Sequence, residues 1–473
     1  MSEQLPLIRA VRFRDPVDAL NAIAHLPYPF LLHSSLEDER ARWSFFGADP
    51  FFVQRGGGAR GPIERFRAIA AGEREAPRCP GVVPFTGGAV GYWAYDYGRR
   101  LERIPDVARD DLGLPDFVVG FYDVVGAFDH QSRDAWLYSS GLPLAGGARG
   151  EHARRRLDKF EWLLTSSGGD PVRVVQSDDP PAPAVSTFTP DAYRRAVVCV
   201  QEHIRAGDIF QANLSQRWKM ALGFATPAAL GLSLHEALSQ RSPAPFAAYF
   251  GAQNHAIVSS SPERFFELRG RRVETRPIKG TRPRTGDPVR DTLLREELLT
   301  SGKDRAENVM IVDVLRNDLG RVCETGSVQT PALCRLETYP QVFHLTSVVT
   351  GILREGLDAF DLLHASFPGG SITGAPKIRA MQILEALEPV RRHVYTGSIG
   401  YVDWRGDADF NIAIRTAVVT PEALHFSAGG GITADSDPDA EYRETLDKAE
   451  GLRVALETLF GPVALAPGAG LRA

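Results

Sequence analysis

From Thr189 to Arg205 the apolar residues Tyr193, Val197, Val200 and Ile204 return every three or four positions, the spacing that lines one face of an α-helix. Thr189 before Pro190 supplies an N-cap and a first-turn proline, and Gly207 ends the segment. The same rhythm predicts helical stretches around residues 291–318, 376–387 and 438–459. Between them lie short runs of β-formers, PFAAYF, HAIVSS, RRVETR and ALHFSAGG. Strands and helices do not alternate regularly, so the pattern predicts an α+β fold with antiparallel sheets and helices packed outside them. No fixed-period repeat is present.

Residues 166–188 are dominated by Gly, Pro, Ser and Asp, a composition that builds no regular element. They divide the chain into an N-terminal domain over 1–165, a linker over 166–188, a second domain over 189–460 and a tail over 461–473. In the first domain Gly87, Gly88 and Gly91 stand among aromatic residues with no capped helix after them. They predict an aromatic-packed hairpin and not a nucleotide loop.

Composition narrows the class. The 473 residues, 43% apolar and 24% charged, are enough for a large buried core, and no run approaches the roughly 20 apolar residues of a membrane span. The start, MSEQLPLIRAVRFRDP, lacks the order of a secretory signal, so a cytoplasmic protein is expected. Cys79, Cys199, Cys323 and Cys334 are widely spaced, which disfavours a zinc site or a disulfide framework. A net charge of -5 without a long basic stretch argues against nucleic acid as the main partner.

Several strings carry candidate chemistry. In the helix from about Asp304, Met310, Ile311 and Val314 form an apolar stripe with Glu307 on the same face, and a buried carboxylate needs a cation, a metal or donors. Asp437-Pro438 opens another helix, which carries Glu441 and Glu444 three apart on one face. These three carboxylates suit one Mg2+, whose other ligands are water and substrate oxygens; Glu441 and Glu444 also fit a solvated helix face. Gly429, Gly430 and Gly431 end a strand-like run, where bare backbone N–H groups can approach an anion or simply turn. GGSITGAPK (369–377) is a second anion candidate at a helix start. RPIKGTRPR (276–284) holds four cations in a loop, either a solvated or phosphate-binding patch or, because VETRPI continues a strand, a place where Lys279 emerges from a strand end. Arg415 in FNIAIRTAVV and His344 in VFHLTSVV are polar groups in apolar runs, the first suited to gripping a carboxylate.

Taken together, AGDIFQANLSQR, SPERF, TRPIKGTRPR, AENVMIVDVLRNDLGRV, GGSITGAPKIRAM, GSIGY, SAGGGITADS and AEYRETLDKA resemble the chorismate-utilising enzymes over residues 190 to 457. That family includes anthranilate, aminodeoxychorismate, isochorismate and salicylate synthases. LLHSS and YWAYDYG resemble the extra N-terminal domain of the first two groups. Lys279 in PIKGT, where anthranilate synthases carry alanine, and Ser371 resemble the aminodeoxychorismate branch.

The resemblance implies a large fold of two packed antiparallel sheets with outer helices and a site between them. It implies that ammonia enters chorismate at C4 by way of Lys279, which adds to ring C2 or serves only as a cationic clamp, with Glu263 as general acid/base and His344 beside the reacting hydroxyl. An unperturbed lysine spends about 4 kcal/mol to be neutral near pH 7.4, so burial and Arg276, Arg282 and Arg284 are expected to lower its pKa. Substrate contacts are implied for Gly280, Thr281, Ser371, Tyr395, Arg415, Gly429, Gly430, Gly431 and Lys448. Glu307 and Glu444 become metal ligands, with Glu441 near the metal or its waters. Ser34 marks a tryptophan pocket in some relatives. No cysteine stands in an amidotransferase context, so ammonia is expected from a separate glutamine amidotransferase subunit in a heterodimer. The alternatives are an anthranilate synthase component and a non-catalytic subunit binding tryptophan or chorismate.

Overall fold

The computed structural model describes residues 5–36, 42–56, 61–73, 83–166, 181–223, 226–339 and 342–468. Cys79 and residues 167–180 of the expected linker lie outside the described residues. The helix starts follow their caps: Thr189 Oγ1 accepts from Ala192 N at 3.1 Å ahead of the helix Pro190–Arg205, and Asp437 Oδ1 accepts from Ala440 N at 2.8 Å ahead of Pro438–Phe460. The stretch expected over 291–318 is two helices, Pro288–Thr300 and Gly302–Gly320. Ser301 breaks it, because its Oγ caps the second helix by accepting from Asp304 N at 3.2 Å.

The strands assemble into a 13-stranded and a 10-stranded sheet, antiparallel in nearly every pairing, with one parallel pair between Leu465–Ala466 and Ala184–Ser186. Aromatic and aliphatic side chains from both sheets, among them Phe30, Tyr92, Tyr122, Phe250 and Tyr401, form a core between them. A second core joins the outer face of the larger sheet to Pro16–Ile23, Gly147–Ser166, Pro227–Arg241 and Pro438–Phe460. A third joins the smaller sheet to Gly61–Ala70, Gly302–Gly320 and Ala359–Ser366. The layers are therefore helix, sheet, sheet and helix, the α+β architecture expected.

Both sheets run across the expected division of the chain. Phe30–His33 pairs with Phe246–Gly251 in one, and Gly88–Trp93 pairs with Ser398–Asp403 in the other. The glycines at 87–91 therefore form no hairpin. Gly88–Trp93 is a central strand between Ser398–Asp403 and Phe117–Tyr122, and a Cβ on Gly88 (φ 152°) would stand 2.1 Å from the Val402 carbonyl oxygen. The glycine permits close approach of two backbones. No helix among the described residues is long and apolar enough to cross a membrane.

Three features place the site. The strand Ile278–Pro283 lies at the end of the smaller sheet, beside Val342–Ile352. The strand Ala423–Ile432 of the larger sheet carries the three glycines. Between the sheets the chain crosses from Ala408–Asn411 in the smaller to Thr416–Val419 in the larger, and Arg415 sits in that crossing with φ 48°. FNIAIRTAVV is thus two strands and a connection, and Arg415 stands in the connection, open to the cavity it lines while the surrounding protein desolvates it enough to lower its pKa.

Candidate active site

An open cavity of about 890 Å³ lies where these features meet, and it gathers Glu263, Lys279, Gly280, Thr281, Glu307, His344, Ser371, Tyr395, Arg415, Gly429, Gly431, Glu441, Glu444 and Lys448. Residues spread over almost two hundred positions of sequence share one chamber.

Lys279 enters it through a bulge. Ile278 pairs with Thr346 but Thr281 with His344, so one extra residue is accommodated and the strand is re-aimed. Gly280 takes φ 84° there, packed against Leu298 and Asp304. Lys279 is therefore inside a short strand, separate from Arg272–Thr275, and not at the end of one. Its Nζ donates to the Ser371 carbonyl at 3.2 Å. Burial and the Lys448 charge lower its pKa, while Glu307, Glu263 and Glu444 act in the opposite sense. The three arginines expected to help are not among the main influences on it. Arg276 is held by Glu274 at 2.6 Å, Arg282 by Glu297 and Asp304 at 2.7 and 3.1 Å, and Arg284 faces Asp291 at 3.7 Å. Nearby carboxylates neutralise the basic run.

Glu263 is fixed by its backbone N–H, which donates to Ser261 Oγ at 3.2 Å. Burial raises its pKa, moderated by a hydrogen bond from the Ser371 side chain and by the Lys279 and Lys448 charges. Glu263 and Lys279 are thus pushed towards their neutral forms, one carboxylic acid and one amine, in a single cavity. Ser371 touches both. On the other side Thr281 Oγ1 is 2.8 Å from His344 Nδ1.

The glycine run is strand interior and not a turn. Gly429, Gly430 and Gly431 pair with Ser215, Leu214 and Asn213, whereas Thr416–Val419 covers only Leu424–Phe426 on the other edge. Among the described residues, that edge from Ser427 onward has no strand partner, and Ser427, Ala428, Gly429 and Gly431 line the cavity. A Cβ on Gly430 would lie 2.7 Å from Glu441 Oε2. Of the second anion candidate, Ser371 and Ile372 line the cavity, whereas Lys377 is turned to Asp318 at 2.7 Å and to the Ser366 carbonyl at 2.6 Å.

The three carboxylates reach the cavity by different routes. The core face of Gly302–Gly320 is Asn308, Ile311, Val312, Leu315 and Leu319, one position over from the expected stripe, and this leaves Glu307 half-buried at the cavity wall. Lys303 stands 4.0 Å from Glu307, and Lys448 stands 2.6 Å from Glu444 while donating to the Gly429 carbonyl at 2.9 Å. Glu441 Oε1 accepts from Ser436 Oγ at 2.6 Å, and its Oε2 has no hydrogen-bond partner. Burial raises the pKa of Glu307 and of Glu441, and the Glu444 charge adds to each rise. The expected convergence of all three is not present: among the described residues no three His, Cys, Asp or Glu side chains are grouped to hold a metal ion.

Lys303 and Asn213 are among the wall residues that escaped sequence reasoning. Lys303 was legible as the i-4 partner of Glu307. Asn213, whose side chain hydrogen-bonds Tyr395, stood in a quoted motif without a pattern to single it out. Ser34 lies elsewhere, donating to the Trp43 carbonyl at 2.7 Å on the wall of a second cavity of about 600 Å³.

A family model described as chorismate binding enzyme matches residues 30–453. The chain belongs to the chorismate binding enzymes. Aminodeoxychorismate synthase component 1 of Escherichia coli (strain K12) is 39% identical over 450 residues, covering 92% of this chain and 94% of the relative. Anthranilate synthase component 1 of Thermus thermophilus is 40% identical over 458 residues, covering 93% and 95%. The crystal structure of anthranilate synthase component I from Streptococcus pneumoniae TIGR4 superposes with a TM-score of 0.74 at 30% identity, covering 88% of this chain and 93% of that one. Identity does not separate the two kinds of relative, so residues in the cavity must.

Proposed function

We propose that the chain catalyses the reaction of aminodeoxychorismate synthase component 1, replacing the C4 hydroxyl of chorismate by an amino group. The observation that carries this reading is Lys279, a neutral-leaning amine bulged into the shared cavity beside the neutral-leaning Glu263. In the proposed sequence Lys279 Nζ forms a bond to ring C2, the ring double bonds shift, and the C4–O bond breaks as Glu263 gives its proton to the departing hydroxyl, which leaves as water. Ammonia then bonds to C4, the double bonds shift back and the C2–Nζ bond breaks. Two such displacements place nitrogen on the carbon that lost oxygen, which one alone does not. Arg415 and the Gly429–Gly431 edge hold the two carboxylates, with Lys448 beside the latter, and Tyr395, Thr281 and His344 border the ring.

Mg2+ suits the remaining carboxylates. Magnesium binds through one or two carboxylates plus waters and substrate oxygens, and Glu441 offers a buried oxygen without a hydrogen bond beside a glycine that leaves space. Glu441 and Glu444, whose oxygens face the same glycine, would hold it, with waters and substrate oxygens completing the shell and Glu307 at the cavity wall. When bound, Mg2+ supplies Lewis-acid polarisation and offsets the charge of an incoming carboxylate. Exhaustive chelation is therefore expected to abolish turnover and added Mg2+ to restore it, measured as product formation; undiminished turnover after chelation sinks the assignment.

The "component 1" of the relatives' names supports a partner chain, and we assign that role to a glutamine amidotransferase. Purified alone, the chain should convert chorismate and an ammonium salt to 4-amino-4-deoxychorismate, identified by mass and retention time, and should make nothing from glutamine. Fluorescent anthranilate as the product would select the other reading, and no product would select a binding subunit. The cavity at Ser34 combines Trp43, Phe45 and Tyr401 with Arg264, Glu267 and Asp409, a surface for a zwitterionic aromatic amino acid such as tryptophan.

A further inference from the structure

Arg392 lies behind the cavity wall, 5% exposed, and every one of its donors is used. Nε and Nη2 donate to the two carboxylate oxygens of Glu388 at 2.8 and 2.7 Å. Nη1 donates to the Ile372 carbonyl at 3.0 Å and to Thr396 Oγ1 at 3.4 Å, and Nη2 also donates to the Asn213 carbonyl. The five N–H groups of a guanidinium are thereby accounted for, and the cation stands 4.7 Å from the ring centre of Tyr95. Glu388 in turn accepts from both the backbone N–H and Oγ of Ser215 at 2.9 Å.

The acceptors belong to three separate pieces of the cavity wall. Ile372 follows Ser371, which touches both Lys279 and Glu263. Asn213 hydrogen-bonds Tyr395 and pairs in register with Gly431. Thr396 follows Tyr395, and its φ of 60° marks a tight connection that needs an external hold. A buried ion pair is weak evidence for stability, because apolar side chains of similar volume often replace one without loss. Its use here is geometric: one rigid fork fixes the distances between strands and loops that are remote in sequence.

We propose that Arg392, held by Glu388, is a positioning residue that sets Ser371, Asn213 and Tyr395 around the reacting Lys279. The inference rests on the reading of Lys279 as the reacting group. Two variants test it, Arg392→Lys, which keeps the charge and loses the fork, and the double variant Glu388→Leu/Arg392→Met, which removes both charges. Thermal unfolding reports the fold, and steady-state rates with an ammonium salt report kcat and KM. The pH dependence of Lys279 acetylation, followed by mass spectrometry without chorismate, reports the lysine itself.

In folded variants kcat should fall about ten- to a hundredfold, as displacements near 1 Å do, with KM for chorismate changed much less. The acetylation midpoint should move down, because the Ser371 carbonyl and Glu263, both of which favour the ammonium form, are no longer held against it. A merely loosened structure would admit water and move the midpoint up towards an ordinary lysine. That upward shift, an unchanged midpoint, or kcat within twofold of the parent in folded Arg392→Lys overturns the proposal. Loss of the fold in both variants overturns it as well, since the pair would then hold up the whole molecule. Should the parent chain make no aminated product, the functional reading fails, while the acetylation midpoints still decide the positioning role.

Discussion

Replacing Lys279 by arginine should cut C4 amination by at least about a thousandfold, the scale on which loss of a nucleophile is felt, while chorismate still binds. Arginine keeps a cation in the cavity but stays protonated, so it cannot form the bond to C2. Mixed with chorismate and Mg2+ in the absence of ammonia, the parent chain should gain the mass of chorismate less water, mapping to Lys279, and the arginine variant should gain nothing. The pKa is what makes this attack accessible: each unit by which burial and Lys448 lower it recovers about 1.36 kcal/mol of the cost of a neutral amine. Retention of full activity by Lys279→Arg, with no adduct in the parent after rapid quenching, would leave the lysine as a clamp for a carboxylate.

What the sequence disclosed about this site, and what it withheld, follows from the range of the interactions. Caps are local, so Thr189 and Asp437 announced their helices correctly. The motifs are local too, and they brought the cavity residues to notice before any distance was known. Register is not local. The bulge that aims Lys279 depends on pairing with residues more than sixty positions away, and Arg415 lies between strands of different sheets because their partners, Arg264–Arg269 and Ala256–Ser261, come from distant segments. Charge was the least legible. Four cations in nine residues look like a basic patch, yet Arg276, Arg282 and Arg284 each have a carboxylate neighbour, and of the four only Lys279 and the paired Arg282 reach the cavity. The same logic explains Arg392. Two of its acceptors, on Ile372 and Asn213, are backbone carbonyl oxygens, which every residue has and which no side-chain pattern reveals.

Glu263→Gln should lower kcat by about 10² to 10⁴, the usual contribution of a positioned proton donor, with little change in KM. The amide keeps the shape of the side chain and its contact with Ser371 but has no proton to give the departing hydroxyl. The pH profile separates this from a packing defect. In the parent chain the reactive form needs Lys279 neutral and Glu263 protonated. Below the glutamate's raised pKa the rate falls with pH because the lysine becomes harder to deprotonate. Above the lysine's lowered pKa it falls again because the carboxyl has lost its proton, giving a bell. With glutamine at 263 only the lysine has to change state. The residual rate should then rise with pH and level off, and the alkaline fall should vanish. The rise itself should lie at higher pH than the parent's acid limb, because it now follows the lysine's own pKa, which loss of the Glu263 charge lowers only in part. A variant with a uniformly reduced bell, both limbs in place, would show that Glu263 is not the acid and that another group protonates the C4 oxygen.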